Sequence, residues 1–170
     1  AHWAVEEYIR ASGLAWTMVK PNFFMQNLLA SAKSIREQGR FSLPMGGGTT
    51  GMADARDIGA VCAEVLTGQG HAGKSYEITG PEVLTFNQVA ERFSEVLGRK
   101  IEYVPMPMAQ FRERMTGVLK PWHLDAVCAL FQEIADIGLD HPADTFRKLI
   151  GREPIPLRQF IADHAALFRT

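Results

Sequence analysis

A chain of 170 residues with 46% hydrophobic content is of single-domain size and carries enough apolar side chains for a real core. Its formal net charge of -1 and isoelectric point near 6.6 disfavour direct binding to nucleic acid, which needs a large basic field to meet phosphates. No apolar run approaches the roughly 20 residues of a membrane span and no signal peptide is visible, so no membrane role is expected.

The elements follow in order. Trp3, Val5, Tyr8 and Ile9 give a first helix an apolar side, with Glu6, Glu7 and Arg10 outside, and Ser12-Gly13 stops it. Leu14 to Val19 is a short, nearly continuous apolar run, the pattern of a strand covered on both faces of a parallel sheet, and Pro21 ends it. Asn22 to Asn27 therefore lies just past the carboxyl end of a central strand, where ligands bind in open α/β sheets. Met25 to Glu37 reads as a helix with Leu28, Leu29 and Ile35 inward. Met45 to Gly51 is a flexible loop at the pocket mouth, from which Met45 can touch substrate. Its glycines neither follow a strand nor open a helix with Lys-Ser/Thr, so they are not a phosphate cradle.

Asp54 to Leu66 predicts a strong helix with Ile58, Val61, Cys62, Val65 and Leu66 on one face. Asp54 caps it and Asp57 sits in its first turn at the positive end of the dipole, which explains both carboxylates without a metal or an acid/base role. Lys74 to Ile78 is a strand. Thr85-x-x-Gln88 has the capping-box form and opens a helix bearing Phe86, Val89, Ala90, Phe93, Val96 and Leu97. Ile101 to Val104 alternates as a half-buried edge strand. Helices over Phe111 to Leu119 and Trp122 to Ile137 follow, then a terminal helix with Leu157, Phe160, Ile161 and Phe168. Met106, Met108, Met115 and Trp122 either line an apolar pocket for a flat substrate or, as buried Met and Trp more often do, pack the core. Cys62 and Cys128 fall at apolar helical positions, which points to buried thiols in a reducing, cytoplasmic compartment. His71, His123, His141 and His164 show no metal-ligand spacing and read as surface or helix residues, so no metal is expected.

Several of these stretches, taken in sequence, carry a family likeness. His2-x-x-Val5-Glu6-Glu7-Tyr8 with Ser12-Gly13-Leu14, Thr17-x-Val19-Lys20-Pro21-Asn22-Phe23-Phe24-Met25-Gln26-Asn27, Asp54-x-x-Asp57-Ile58-Gly59, and Tyr76-Glu77-Ile78-Thr79-Gly80-Pro81 resemble the NmrA-like branch of atypical short-chain dehydrogenases/reductases. The resemblance implies an α/β fold: the C-terminal part of a Rossmann-like, doubly wound parallel sheet over residues 1–70. An interleaved, smaller and mostly helical substrate-binding lobe follows over residues 71–170. That family binds NAD(P) and acts either as quinone-type reductases or as redox-sensing regulators. The family's Gly-rich phosphate loop has no counterpart here, and the expectation is that these residues are the later part of a longer protein.

For the site, the resemblance implies that Asn22, Phe23, Phe24, Met25, Gln26 and Asn27 pack against the nicotinamide half of the cofactor, with NADPH favoured over NADH. His2 occupies the position of the lysine in the superfamily's Tyr-x-x-x-Lys pair, which implies a ribose contact more than a catalytic role. Phe24, Met45 and Met106 are the candidate substrate contacts. The expected activity is NAD(P)H-dependent reduction of a quinone or similar carbonyl. The alternative is a non-catalytic redox sensor that acts through a protein partner, and a homodimer is also open.

Overall fold

A computed structural model of the chain describes residues 2–139 and 141–169, with His2 described by its backbone alone. Helix α1 (His2–Ala11) leads into strand β1 (Thr17–Pro21), a 3-10 turn (Met25–Ser31) and α2 (Ala32–Gln38). Short strands β2 (Arg40–Phe41) and β3 (Thr49–Thr50) precede α3 (Ala55–Thr67). Then come β4 (Lys74–Ile78), β5 (Leu84–Thr85), α4 (Phe86–Leu97) and β6 (Glu102–Tyr103). Helices α5 (Met108–Met115), α6 (Pro121–Asp136), α7 (Thr145–Ile150), α8 (Leu157–Asp163) and α9 (Ala165–Phe168) complete the chain. It is an α/β structure whose longest strands, β1 and β4, are parallel and in register from Thr17 opposite Lys74 to Pro21 opposite Ile78.

Two cores result. The smaller one lies on the β1–β4 pair, where Ala53, Val61, Ile78 and Phe146 are buried with Val19, Ile58, Tyr76 and Leu149 packed against them. Helices α3 and α7 cover this sheet. The larger core gathers Phe23, Leu28, Ile35, Phe41, Met45, Phe86, Phe93, Tyr103, Phe160 and Phe168 from the 3-10 turn, the β2–β6 pair and helices α2, α4, α8 and α9. Its aromatic rings meet at an edge or a tilt, Phe93 against Phe168 at 4.9 Å and Phe23 against Phe86 at 5.8 Å, the arrangements that ring quadrupoles favour. Phe23 and Met25 extend from the end of β1 into this second core, so the segment after β1 joins the two.

Local signals explain most element boundaries. Asp54 accepts the Arg56 backbone N–H as the cap of α3, and Thr85 with Gln88 forms the reciprocal capping box of α4. Arg99 donates to the last carbonyls of α2 at Ile35 and Arg36 and to Phe168 at the end of α9, which satisfies helix-end acceptors with one guanidinium.

Other boundaries depart from expectation. Strand β1 starts at Thr17 rather than Leu14 and includes Pro21. Asn22 donates to Ile78, so neighbours of opposite parity, Pro21 among them, direct their backbone nitrogen away from β4, and the missing N–H costs this ladder nothing. The predicted helix over Met25 to Glu37 is a 3-10 turn followed by a short α-helix. Leu66 was expected inward but is 82% exposed, because it lies about 80° around α3 from Ile58 and overshoots the sheet. Helix α5 ends at Met115, and Trp122 is 70% exposed, stacked on His123 rather than lining a pocket or core. The apolar side of α1 also faces outward, with Trp3 73% and Tyr8 79% exposed and Val5 exposed beside them. Among the described residues, β1 pairs only with β4.

Candidate functional site

The carboxyl ends of β1 and β4 lie side by side, and the chain leaving β1 runs on to pair with Ala53. Asn22 donates its backbone N–H to the Ile78 carbonyl at 2.9 Å. Its side-chain Oδ1 accepts the Phe23 N–H at 2.7 Å and the Thr50 hydroxyl at 2.6 Å. Both lone-pair directions of that oxygen are thus in use, and the NH2 side of the amide is the part left for a ligand. Two glycines let the surrounding loops close in. A Cβ on Gly51 would lie 2.9 Å from the Thr79 Cβ and 3.0 Å from Leu139 Cδ2, and one on Gly80 would run into the Met52 carbonyl.

The three large apolar residues after Asn22 separate as an extended stretch requires. Phe23 and Met25 are buried, while Phe24 between them is 37% exposed. Phe24 forms a parallel bridge with Ala53, fixed by the Ala53 N–H on the Phe23 carbonyl and the Met25 N–H on the Ala53 carbonyl, both 2.9 Å. Gln26 is committed at both ends of its amide: Nε2 donates to Asp54 at 3.2 Å and Oε1 accepts the Ala55 N–H at 3.0 Å. Asn27 is exposed. The structure therefore leaves Asn22 half-buried and Phe24 and Asn27 exposed in the segment after β1, and turns Phe23, Met25 and Gln26 to packing and capping.

The remaining candidates lie elsewhere. Met45 has no exposed surface, and its N–H donates to the Tyr103 hydroxyl within the larger core, so it belongs to packing rather than to a crevice wall. Met106 is likewise buried. The His2 side chain lies outside the described residues. Surface depressions among the described residues are lined by Asn87, Glu91 and Ile101 in one case and by Arg112, Thr116 and Asp125 in another. Neither includes Asn22 or Phe24.

Both carboxylates near the crevice have structural work. Burial pushes the Asp54 carboxyl up, but hydrogen bonds from the Arg56 side chain and backbone and from Gln26 outweigh it and hold Asp54 below the usual carboxylate range. Arg56 reaches it at 2.8 Å and also binds Asp163 in α8 at 2.8 Å. Asp57 is buried and accepts Arg152 at 2.8 Å and the Ile155 backbone N–H at 2.6 Å, which anchors the C-terminal segment to α3. Nothing local in the sequence announces the partners Thr50 or Arg152, 28 and 95 residues away from Asn22 and Asp57. The described residues hold no group of three or more His, Cys, Asp or Glu side chains placed to bind a metal ion.

With this geometry in place, comparison with known proteins decides the family. The model of the NmrA-like family matches residues 2–153. The chain belongs to the NmrA-like family. Among this NmrA-like chain's relatives, an NAD(P)H azoreductase of Xenophilus azovorans is 40% identical over 164 residues, 96% of the chain and 57% of the relative. Quinone oxidoreductase 2 of Escherichia coli is 28% identical over 95% of the chain and 57% of the relative. In structure, an NADPH-dependent quinone oxidoreductase of Escherichia coli superimposes with a TM-score of 0.84 at 27% identity, covering 96% of this chain and 60% of that one. The same enzyme solved with NADPH gives 0.81 at 27% identity, covering 97% and 58%. The chain thus spans a little under three fifths of the curated relatives it matches.

Proposed function

We propose that the protein carrying this chain is an NAD(P)H-dependent oxidoreductase that reduces a quinone or similar carbonyl, with NADPH as the favoured donor. The observation that carries the reading is the Asn22 amide: anchored through its oxygen at the carboxyl end of β1, it turns its NH2 side outward beside the exposed Phe24 ring. Support for the cofactor comes from the azoreductase and the NADPH-bound quinone oxidoreductase that the chain resembles.

The residues present fit the nicotinamide half of such a cofactor. An outward amide N–H suits a carboxamide or ribose oxygen, and a half-exposed aromatic face suits a flat ring. When bound, the dinucleotide supplies a hydride. This chain's part is to orient and to exclude water. Thr50 and the Phe23 N–H fix the Asn22 rotamer, Phe24 covers a ring, and Gly51 and Gly80 allow the loops to close without an intervening side chain. The pyrophosphate is left to the other wall of the cleft, which we place in polypeptide beyond this sequence; the exposed face of α1 and the edge of β1 that has no partner among the described residues are where that wall would pack. Under this reading the sheet side of the chain belongs to the dinucleotide-binding domain and the larger aromatic core to the substrate lobe.

The test is to mix the whole protein with NADPH and a panel of quinones and follow the near-ultraviolet absorbance of the reduced nicotinamide. Turnover is expected, and Asn22→Leu should lower kcat/KM by roughly tenfold or more, the worth of a well-placed hydrogen bond. Tight nucleotide binding with no turnover would replace this reading with that of a redox sensor acting through a protein partner.

A further inference from the structure

Gln26 stands two residues beyond the exposed Phe24 and commits both ends of its amide to the start of α3. Its Nε2 donates to Asp54 at 3.2 Å, and its Oε1 accepts the Ala55 N–H at 3.0 Å. The backbone just before it is bound to the same stretch, since the Ala53 N–H donates to the Phe23 carbonyl and the Met25 N–H donates to the Ala53 carbonyl, both at 2.9 Å. Phe24 lies between the bonded residues, so the direction of its ring is set by contacts that its own side chain does not make.

The acceptor that Gln26 uses is itself held firmly. Asp54 is fully buried and accepts the Arg56 backbone N–H at 2.8 Å, Nε at 3.0 Å and a terminal guanidinium nitrogen at 2.8 Å. Arg56 also binds Asp163 of α8 at 2.8 Å, and the other Asp163 oxygen accepts the Gln159 amide at 2.6 Å. A chain of polar side chains thus runs from the segment after β1, through the first turn of α3, to a helix of the larger core.

Capping does not by itself call for Gln26. Asp54 caps α3 through the Arg56 N–H, and a first-turn N–H such as that of Ala55 is ordinarily met by water. What the glutamine adds is a hold on its own segment. With both ends of its amide occupied, it has no free group for a ligand.

Resting on the reading that Phe24 covers the nicotinamide ring, we propose that Gln26 is a positioning residue of the cofactor site, clamping the segment after β1 onto α3 and touching neither cofactor nor substrate. A loose strand-end segment would have to be ordered as the nucleotide binds, and that ordering weakens binding. A segment already clamped is spared it.

The experiment measures NADP+ binding calorimetrically on the whole protein, as wild type, Phe24→Ala, Gln26→Leu and the double variant, with the melting temperature as the check on folding. Each single substitution should weaken NADP+ by about tenfold, and the double variant also by about tenfold, because the clamp then has no ring left to hold. Gln26→Glu is the second probe: it keeps an acceptor for the Ala55 N–H but sets a carboxylate against that of Asp54, and it should weaken NADP+ in the same direction. In turnover, kcat/KM for NADPH should fall with the binding, while the KM for quinone, which a general loosening of the fold would also move, stays within about twofold. Normal NADP+ binding by both Gln26 variants would overturn the clamp and leave the cofactor site standing. A double variant weakened about a hundredfold would overturn it as well, since the two residues would then act independently. Phe24→Ala without effect, or a wild type that binds no NADP+, would overturn the clamp together with the site it serves.

Discussion

Helices α1 and α4 are both amphipathic by the same rule of spacing, and they meet opposite fates. In α4 the residues Phe86, Val89, Ala90 and Phe93 are buried against α8, β6 and the 3-10 turn, and both ends are closed by a capping box and a left-handed glycine. In α1 the residues Trp3, Val5 and Tyr8 stand exposed over a strand that has one partner among the described residues. Spacing specifies that a face has to be covered. It does not specify by what. The contrast divides the molecule into a side whose apolar face is buried within this chain and a side, the β1 edge and α1, whose apolar residues stand exposed among the described residues.

Predictions that sharpen the contrast begin where the effect is largest. Phe93 has no exposed surface and packs against Phe41 and Phe168, so Phe93→Ala removes a ring from the centre of the larger core. A loss of about 3–5 kcal/mol is expected, read as a shift of the urea midpoint with an unchanged slope. A loss under about 1 kcal/mol would mean that this core is not the stable side.

Asp57→Ala comes next. It strips a buried acceptor from Arg152 and from the Ile155 N–H, and with them the link between α3 and the C-terminal segment. Since Arg152 can turn to water but the backbone N–H cannot follow as readily, about 2–3 kcal/mol is expected. Hydrogen exchange should quicken first in α7 and the turn before α8, ahead of α4.

How much of this could be seen in the sequence follows the same division. Capping signals and the presence of a strand after Ser12-Gly13 are local, so Asp54 and Thr85–Gln88 were readable from neighbouring residues. Asn22 was readable as a strand-end amide, but its rotamer is set by Thr50, 28 residues away, through a pairing that only the fold creates. Met45 misleads for the opposite reason. A methionine beside a run of glycines looks like a loop tip, yet the glycines let the loop fold back and bury it under Tyr103. Phe24 could be foreseen only as one of three, because the two-residue alternation that exposes it also buries Phe23 and Met25.

The Asp54 cap offers a smaller effect with a defined pH sign. Its carboxyl sits below its ordinary value of 3.8 in the folded chain, so the stabilisation is fully present above pH 3.8 and is lost as the pH falls through the lower, folded value. Asp54→Asn keeps a capping oxygen but removes the charge that Arg56 binds. Wild type should therefore lose stability more steeply than the variant below pH 3.8, and the two should run parallel above about pH 5. Parallel curves throughout would show that the Arg56 contacts contribute nothing net.

The smallest effect in this chain is also the one that tests the contrast itself. Trp3→Ser and Tyr8→Ser alter side chains that are 73% and 79% exposed, and such changes ordinarily move stability by no more than about 0.5 kcal/mol. In the 170-residue chain the melting point should hardly move, and solubility should rise as an exposed apolar face is removed. In the whole protein the same pair of substitutions should cost several times more, because burying a large aromatic side chain is worth roughly 2–3 kcal/mol. The quantity that matters is the difference between the two measurements. A large difference assigns the face of α1 to an intramolecular partner and supports a cleft with two walls. Equal and small effects would leave α1 solvated in both, and the site at Asn22 would then have to work from this side of the crevice alone.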